Sequence, residues 1–342
     1  MIIISYLFAV LKNIIYGVTP FFTGNLTEST SVMDVLALRF LVSFVVMWLL
    51  KTVKIIKVDV KIGDVFKKDR PRHPYMLALL MTGIFEPVLY MFFETMGISM
   101  STNVTTGVIL SLSPITSVIF ESLILKERST LLQKVFLGVG IVGVIYIAAM
   151  TNTADGKDSV LGILCLLMAV ISGSLFVTFS RKSSKHFNAM EVTYVSAMLG
   201  TVAFNAVNIV RHIINGTLLH YFDPFFNLEN LIGFFVLGVV STIVATGMNN
   251  FALGYMQIST MAAFGGLSTL VIIAVGVIFN HEPLYYFHWI GLALIVTRMV
   301  GVSVIAIRRT KTEMQTKQCA DAEGTPVPAT TEITQSNADT ND

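Results

Sequence analysis

Apolar positions run through this chain in long blocks, separated by short polar stretches. A window of about 19 residues picks out blocks at residues 2–22, 33–51, 74–96, 100–125, 132–150, 159–180, 190–211, 230–252, 257–279 and 287–307. Each is close to the ~20 residues that a helix rising ~1.5 Å per residue needs to cross ~30 Å of hydrocarbon. The pattern predicts an all-α integral membrane protein with ten transmembrane helices. Residues 309–342 lack an apolar period and are rich in Thr, Ala, Asp, Glu and Pro. Such a composition buries too little surface to offset the entropy of ordering, so this segment reads as a disordered cytoplasmic tail.

Composition sharpens the picture. Hydrophobic residues fill 54% of the 342 positions and charged residues only 13%, where a soluble domain carries roughly 25% charged. A water-soluble globule is excluded. The charges that remain concentrate between Lys51 and Arg72 and between Arg309 and Asp342. A cytoplasmic N-terminus gathers the basic residues of 51–72, 126–134, 181–185 and 308–317 on the inner side. It leaves only Lys157 and Arg211 outside, the asymmetry that orients membrane helices. Both termini are therefore expected in the cytoplasm, and the block starting at Met1, with no basic leader, is expected to be a retained helix. The basic stretch 51–72 is accounted for by orientation, so no nucleic-acid partner is expected. Cys165 lies in an apolar run and Cys319 in the polar tail, which excludes a disulfide scaffold.

The chain repeats itself. One constant offset lays Gly83 on Gly238, Thr105 on Thr260, Leu112 on Leu267, Ser113 on Ser268 and Glu127 on Glu282. Slightly longer offsets lay Gly17 on Gly173 and Met33-Asp34-Val35 on Met190-Glu191-Val192. The expected units are residues 1–150 and 151–308, each with five helices. An odd number of spans sends the second unit into the membrane from the opposite side, so the two are inverted repeats, N-in and C-in. This is transporter architecture, because exchanging the conformations of the halves converts an inward-facing cavity into an outward-facing one of similar energy.

Several short stretches also resemble a known family. Tyr16-Gly17, Arg39-Phe40, Leu110-Ser-Leu-Ser-Pro114, Leu125-Lys-Glu127 and Asn280-His-Glu282-Pro resemble the EamA-type repeats of the drug/metabolite transporter superfamily, over about residues 5–307. The resemblance implies a multi-pass carrier of the cell membrane that moves a small solute outward by alternating access. It also implies scaffold or homodimer contacts from the fifth and tenth helices, so Arg298 is expected to mark an interface rather than the substrate path. Tyr16 stands where the family's first helix often has Trp, and Glu94 is a charge where the pattern is apolar.

An ionisable group in hydrocarbon costs roughly 2.5–3.5 kcal/mol on insertion scales, so Lys12, Arg39, Glu86, Glu94, Glu121 and Arg298 each need a reason. Lys12 lies near the midpoint of the first helix and Glu86 near the midpoint of the third. The opposite charges are expected to face one cavity, either paired directly or separated by substrate and water; a functional and a purely structural pairing both fit. Glu86, Tyr90 and Glu94 share a helical face, in a helix that Pro87 is expected to kink. Lys12, Asn13 and Tyr16 form a similar cluster, Asn249 is the inverted counterpart of Glu94, and Asn205 adds polarity to the seventh helix. The expected substrate-binding residues are thus Lys12, Asn13, Tyr16, Glu86, Tyr90, Glu94, Asn205 and Asn249. Arg39 is within snorkelling reach of the headgroups and reads as an anchor or a gate, and Asn208 as an interhelical hydrogen bond. Because an ionised carboxylate is costly at that depth, Glu86, with Glu94, is expected to bind a proton in exchange with substrate.

Other classes fit less well. The histidines fall near membrane surfaces without a ligand spacing such as H-E-x-x-H, so no metal, no cofactor and no enzyme activity are expected. There is no P-loop signature, and no charged ring suggests a channel. The alternatives to a carrier of a small metabolite, amino acid or drug-like solute are a membrane sensor or receptor without transport, and a uniporter or exchanger for sugar phosphates or nucleotide sugars. Cavity charges of both signs suit a zwitterion, whereas a sugar phosphate calls for more buried cations than Lys12 and Arg39.

Overall fold

The structure, a computed structural model, describes residues 2–60, 73–124, 159–255 and 258–281 and scattered positions between 285 and 304. The expected fifth span at 132–150, most of the tenth, the tail, the loop 61–72, Glu127, Glu282, Arg298 and the side chain of Glu121 lie outside the described residues. The described residues are helical, without strands. Among the described residues, six helical stretches are long and apolar enough to cross a membrane: Ile4–Ser29, Val32–Thr52, Tyr75–Ile98, Val160–Ser183, Ala189–Ile214 and Leu228–Tyr255. Large apolar side chains such as Trp48, Leu77 and Ile213 stand on the outside of the bundle, where lipid rather than water suits them.

We number the α-helices α1 (Ile2–Ser29), α2 (Val32–Thr52), α3 (His73–Gly83), α4 (Tyr90–Ile98), α5 (Asn103–Leu110), α6 (Ser113–Ile124), α7 (Val160–Ser183), α8 (Ala189–Ile214), α9 (Leu228–Phe235), α10 (Thr246–Tyr255) and α11 (Ile258–Phe279). Helix α1 outruns its expected end at residue 22, because Leu26 seats in a buried cluster with Leu36, Phe40, Phe204, Phe234 and Leu237. A second cluster of Val104, Val108, Ile109, Ile163, Leu166 and Ile273 joins α5, α7 and α11.

Three spans are interrupted. Between α3 and α4 the chain widens into a π-helical stretch, Ile84–Leu89, in which Glu86 leaves helical geometry altogether (φ −140°, ψ 117°). Pro87 explains it: its ring lacks the amide hydrogen and clashes with the preceding turn. Between α9 and α10 lies a matching wide stretch, Val236–Ala245, which no proline signals. Here hydroxyls bond back to carbonyls five residues earlier, Thr242 to Leu237 at 2.7 Å and Thr246 to Ser241 at 3.4 Å. The expected fourth span divides at Ser111–Leu112 into α5 and α6. The Ser111 hydroxyl caps the Val108 carbonyl, and Pro114 occupies the first turn of α6, where a missing N–H costs least.

Helices α2 and α8 pack together antiparallel and are fastened at both ends. At one end Ser31 caps α2 by accepting from Asp34 N. The Asp34 carboxylate then accepts from Asn208 Nδ2 at 2.9 Å and His212 Nε2 at 2.7 Å on α8, with Arg211 at 3.5 Å. At the other end Asn188 and Glu191 form a capping box on α8. There the Asp59 amide donates to Glu191 and the Asn188 amide to the Lys57 carbonyl. Asp34 and Glu191 occupy the same third position of their helices, so the duplicated Met33-Asp34-Val35 and Met190-Glu191-Val192 are duplicated caps.

Candidate functional site

The interrupted spans surround one cavity of about 170 Å³. One wall is a ladder between α1 and the span from α9 to α10. Lys12, Tyr16 and Thr19 recur every three to four residues and so share a face of α1. They meet Asn249, Thr246 and Ser241 in antiparallel order: Lys12 Nζ donates to Asn249 Oδ1 at 2.9 Å, Tyr16 Oη and Thr246 Oγ1 lie 3.1 Å apart, and Thr19 Oγ1 donates to Ser241 Oγ at 3.1 Å. Lys12 thus bonds to the inverted counterpart of Glu94 and not to Glu86. Asn13 is 2% exposed, and its amide donates to its own helix at Ala9 O.

Arg39 corrects the reading of a snorkelling anchor. Its side chain is 1% exposed and turned into the bundle, where it borders the cavity. Nε donates to Thr242 Oγ1 at 3.1 Å and Nη2 to Ser241 Oγ at 3.2 Å. A cation surrounded by protein and hydroxyl donors and acceptors has no need of the headgroups, and Gly238 makes the approach possible: a Cβ there would stand 2.9 Å from the Arg39 carbonyl. The opposite wall carries Glu86, Tyr90 and Glu94. Tyr90 Oη donates to Glu94 Oε1 at 2.6 Å, while the Glu86 carboxyl makes no hydrogen bond or ion pair among the described residues. Gly173 admits Tyr90, whose ring would lie 2.9 Å from a Cβ at that position.

Charged groups at Lys12, Arg39, Glu86 and Glu94 border the cavity. Beside the hydroxyls of Ser113, Ser117 and Ser268, the lining includes the apolar Leu110, Phe176, Val177, Leu253, Met261 and Ile272. Among the described residues, every charged lining residue comes from the first half of the chain, and the second half supplies hydroxyls, an amide and apolar surface.

Of the residues expected from sequence, the cavity gathers Lys12, Asn13, Tyr16, Glu86, Tyr90, Glu94 and Asn249. Asn205 is elsewhere. Its amide donates to the carbonyls of Ala37 and Thr201, and its oxygen accepts from Tyr221 Oη, which fastens α8 to α2 and to the following loop. Burial pushes the Tyr221 phenol above its ordinary range, so it stays a neutral donor. Asn208 makes the interhelical bond expected of it, to Asp34. Ser241, Thr246 and Thr19 escaped notice because hydroxyls are common in apolar helices. One signal was available: the offset that pairs Glu94 with Asn249 also pairs Glu86 with Ser241. Among the described residues no group of three His, Cys, Asp or Glu side chains could hold a metal ion.

The chain matches the EamA-like transporter family over residues 3–149 and 160–304. An uncharacterized transporter of Bacillus subtilis, YcxC, is 28% identical over 307 residues, covering 90% of this chain and 95% of its own. An uncharacterized transporter of Archaeoglobus fulgidus is 24% identical over 135 residues, 40% of this chain and 45% of its own. A crystal structure with 15% identity superposes at a TM-score of 0.59 over 88% of this chain and 98% of its own, a likeness of fold.

Proposed function

Given that this chain belongs to the EamA-like transporter family of multi-pass membrane proteins, we propose that it is a secondary carrier. It moves a small metabolite, amino acid or drug-like solute out of the cell by alternating access and exchanges it for a proton on Glu86, with Glu94 assisting. One observation carries this reading: a cavity holding cations and carboxylates lies where the third and eighth spans are interrupted. Paired interruptions at corresponding positions of two halves mark substrate sites in inverted-repeat carriers.

The two units are residues 1–150 and 151–308, each with five helices, inverted and with both termini in the cytoplasm of a cell-membrane protein. Paired contacts support this. Gly83 packs on Leu199 of α8, and its counterpart Gly238 packs on Val42 of α2, the positions that the longer offset exchanges. The orientation is checked at Cys319: with Cys165 replaced by serine, a membrane-impermeant maleimide should label intact cells only after permeabilisation. Labelling of intact cells would place the C-terminus outside.

The cavity volume, close to the ~150 Å³ that accommodates benzene, favours a solute of amino-acid size over a nucleotide sugar. The test is flux of a labelled metabolite pool into proteoliposomes, with and without a pH gradient. Saturable uptake of at least one solute is the expected result. Absence of flux for every solute from folded protein would favour a sensor.

A further inference from the structure

Arg39 is left incomplete. Two of its guanidinium nitrogens are satisfied by Thr242 and Ser241, but Nη1 is buried with no hydrogen-bond partner among the described residues. No carboxylate makes an ion pair with it among the described residues, although Glu94 and Glu86 stand close enough to interact with its charge. A buried, unbonded nitrogen on a cation is costly. It persists where the missing acceptor arrives with a ligand. Glu94 is already engaged by Tyr90, and Lys12 is held by Asn249.

We infer that Arg39 is the residue that recognises the carboxylate of the transported solute, through Nη1. The reading rests on the transport function proposed above and assigns the solute its two ends. The carboxylate completes the guanidinium. An ammonium on the same solute reaches the Glu86 carboxyl, which borders the same cavity and interacts with the Arg39 charge, and displaces the exchanged proton there. The apolar part lies against Phe176, Leu253 and Met261. Ser241 and Thr242 hold the other two guanidinium nitrogens, so Nη1 is the nitrogen left to bond a ligand.

The test uses the full chain in proteoliposomes loaded with labelled L-leucine, with unlabelled L-leucine, leucinamide and 4-methylpentanoate as competitors. In the wild type, L-leucine should compete about 10-fold to 100-fold better than leucinamide, the range expected for one charge-assisted hydrogen bond. Arg39→Gln should abolish that preference while leucinamide binding stays within a few-fold. Arg39→Lys retains the charge in a similar volume but lacks the fork, and should keep only part of the preference; it serves if the glutamine variant fails to fold. A preference unchanged in both variants, or lost instead in Lys12→Met, would overturn the assignment. Failure of all three compounds to compete, alongside saturable flux of another solute, would overturn it while leaving the carrier reading intact.

Discussion

Replacing Glu86 by Gln abolishes the response of solute flux to a pH gradient: gradient-driven uptake in proteoliposomes falls about ten-fold or more, to the level seen without a gradient. The expectation follows from position and company. Glu86 sits in extended backbone between α3 and α4, 9% exposed and on the cavity wall. Its carboxyl takes no hydrogen bond from a described residue, so no such bond holds it in one charge state. Glutamine keeps the shape and removes the titration. Glu94 provides the contrast, because Tyr90 already donates to it; Glu94→Gln should lower flux while retaining a gradient response. Uptake by Glu86→Gln that still follows the pH gradient would reduce Glu86 to a structural residue.

Replacing Gly17 by Ala should sharply reduce the yield of folded protein and lower its unfolding midpoint in detergent. A Cβ at Gly17 would stand 2.4 Å from Val271 Cβ and 2.9 Å from the Ser268 backbone oxygen. The valine atom is tied directly to backbone and the oxygen belongs to it, so neither can swing away, and α1 must separate from α11. Overpacking of this kind costs about 1–3 kcal/mol, more when backbone is displaced. The ladder from Lys12 to Thr19 moves with α1, so surviving protein should also transport poorly. Gly24 lies on the same helix, yet a Cβ there meets only Ile98 at 3.8 Å. Gly24→Ala should leave stability unchanged or raise it by about 0.5–1 kcal/mol through helix propensity. Equal stability of the Gly17 and Gly24 variants would refute the close approach of α1 and α11.

The site was legible in sequence wherever a charge broke an apolar run. Lys12, Glu86 and Glu94 stand out because hydrocarbon tolerates no unexplained ion, and helical periodicity added Tyr16 and Tyr90. Asn205 was misplaced for a related reason. An amide in an apolar helix signals only that it needs partners, and its partners are the Ala37 and Thr201 carbonyls and Tyr221. Arg39 was visible as a residue but not as a cavity wall, since its depth along α2 suits a headgroup contact as well as an inward turn. The interruption at Val236–Ala245 had no proline to announce it, unlike the one at Pro87.

The sequence by itself determined that the chain is helical and membrane-embedded, which family it resembles, and which ions lie at membrane depth. These properties depend on local composition and period, which hydrocarbon reads one residue at a time. Only the tertiary structure decided which polar groups face each other. It joined Lys12 to Asn249, turned Arg39 toward Ser241 and Thr242, and left Glu86 and Arg39 Nη1 without hydrogen bonds from other described residues. Those outcomes depend on the rotation and spacing of helices far apart in the chain, set by close contacts at Gly17, Gly83, Gly173 and Gly238, and no period along a single helix encodes them.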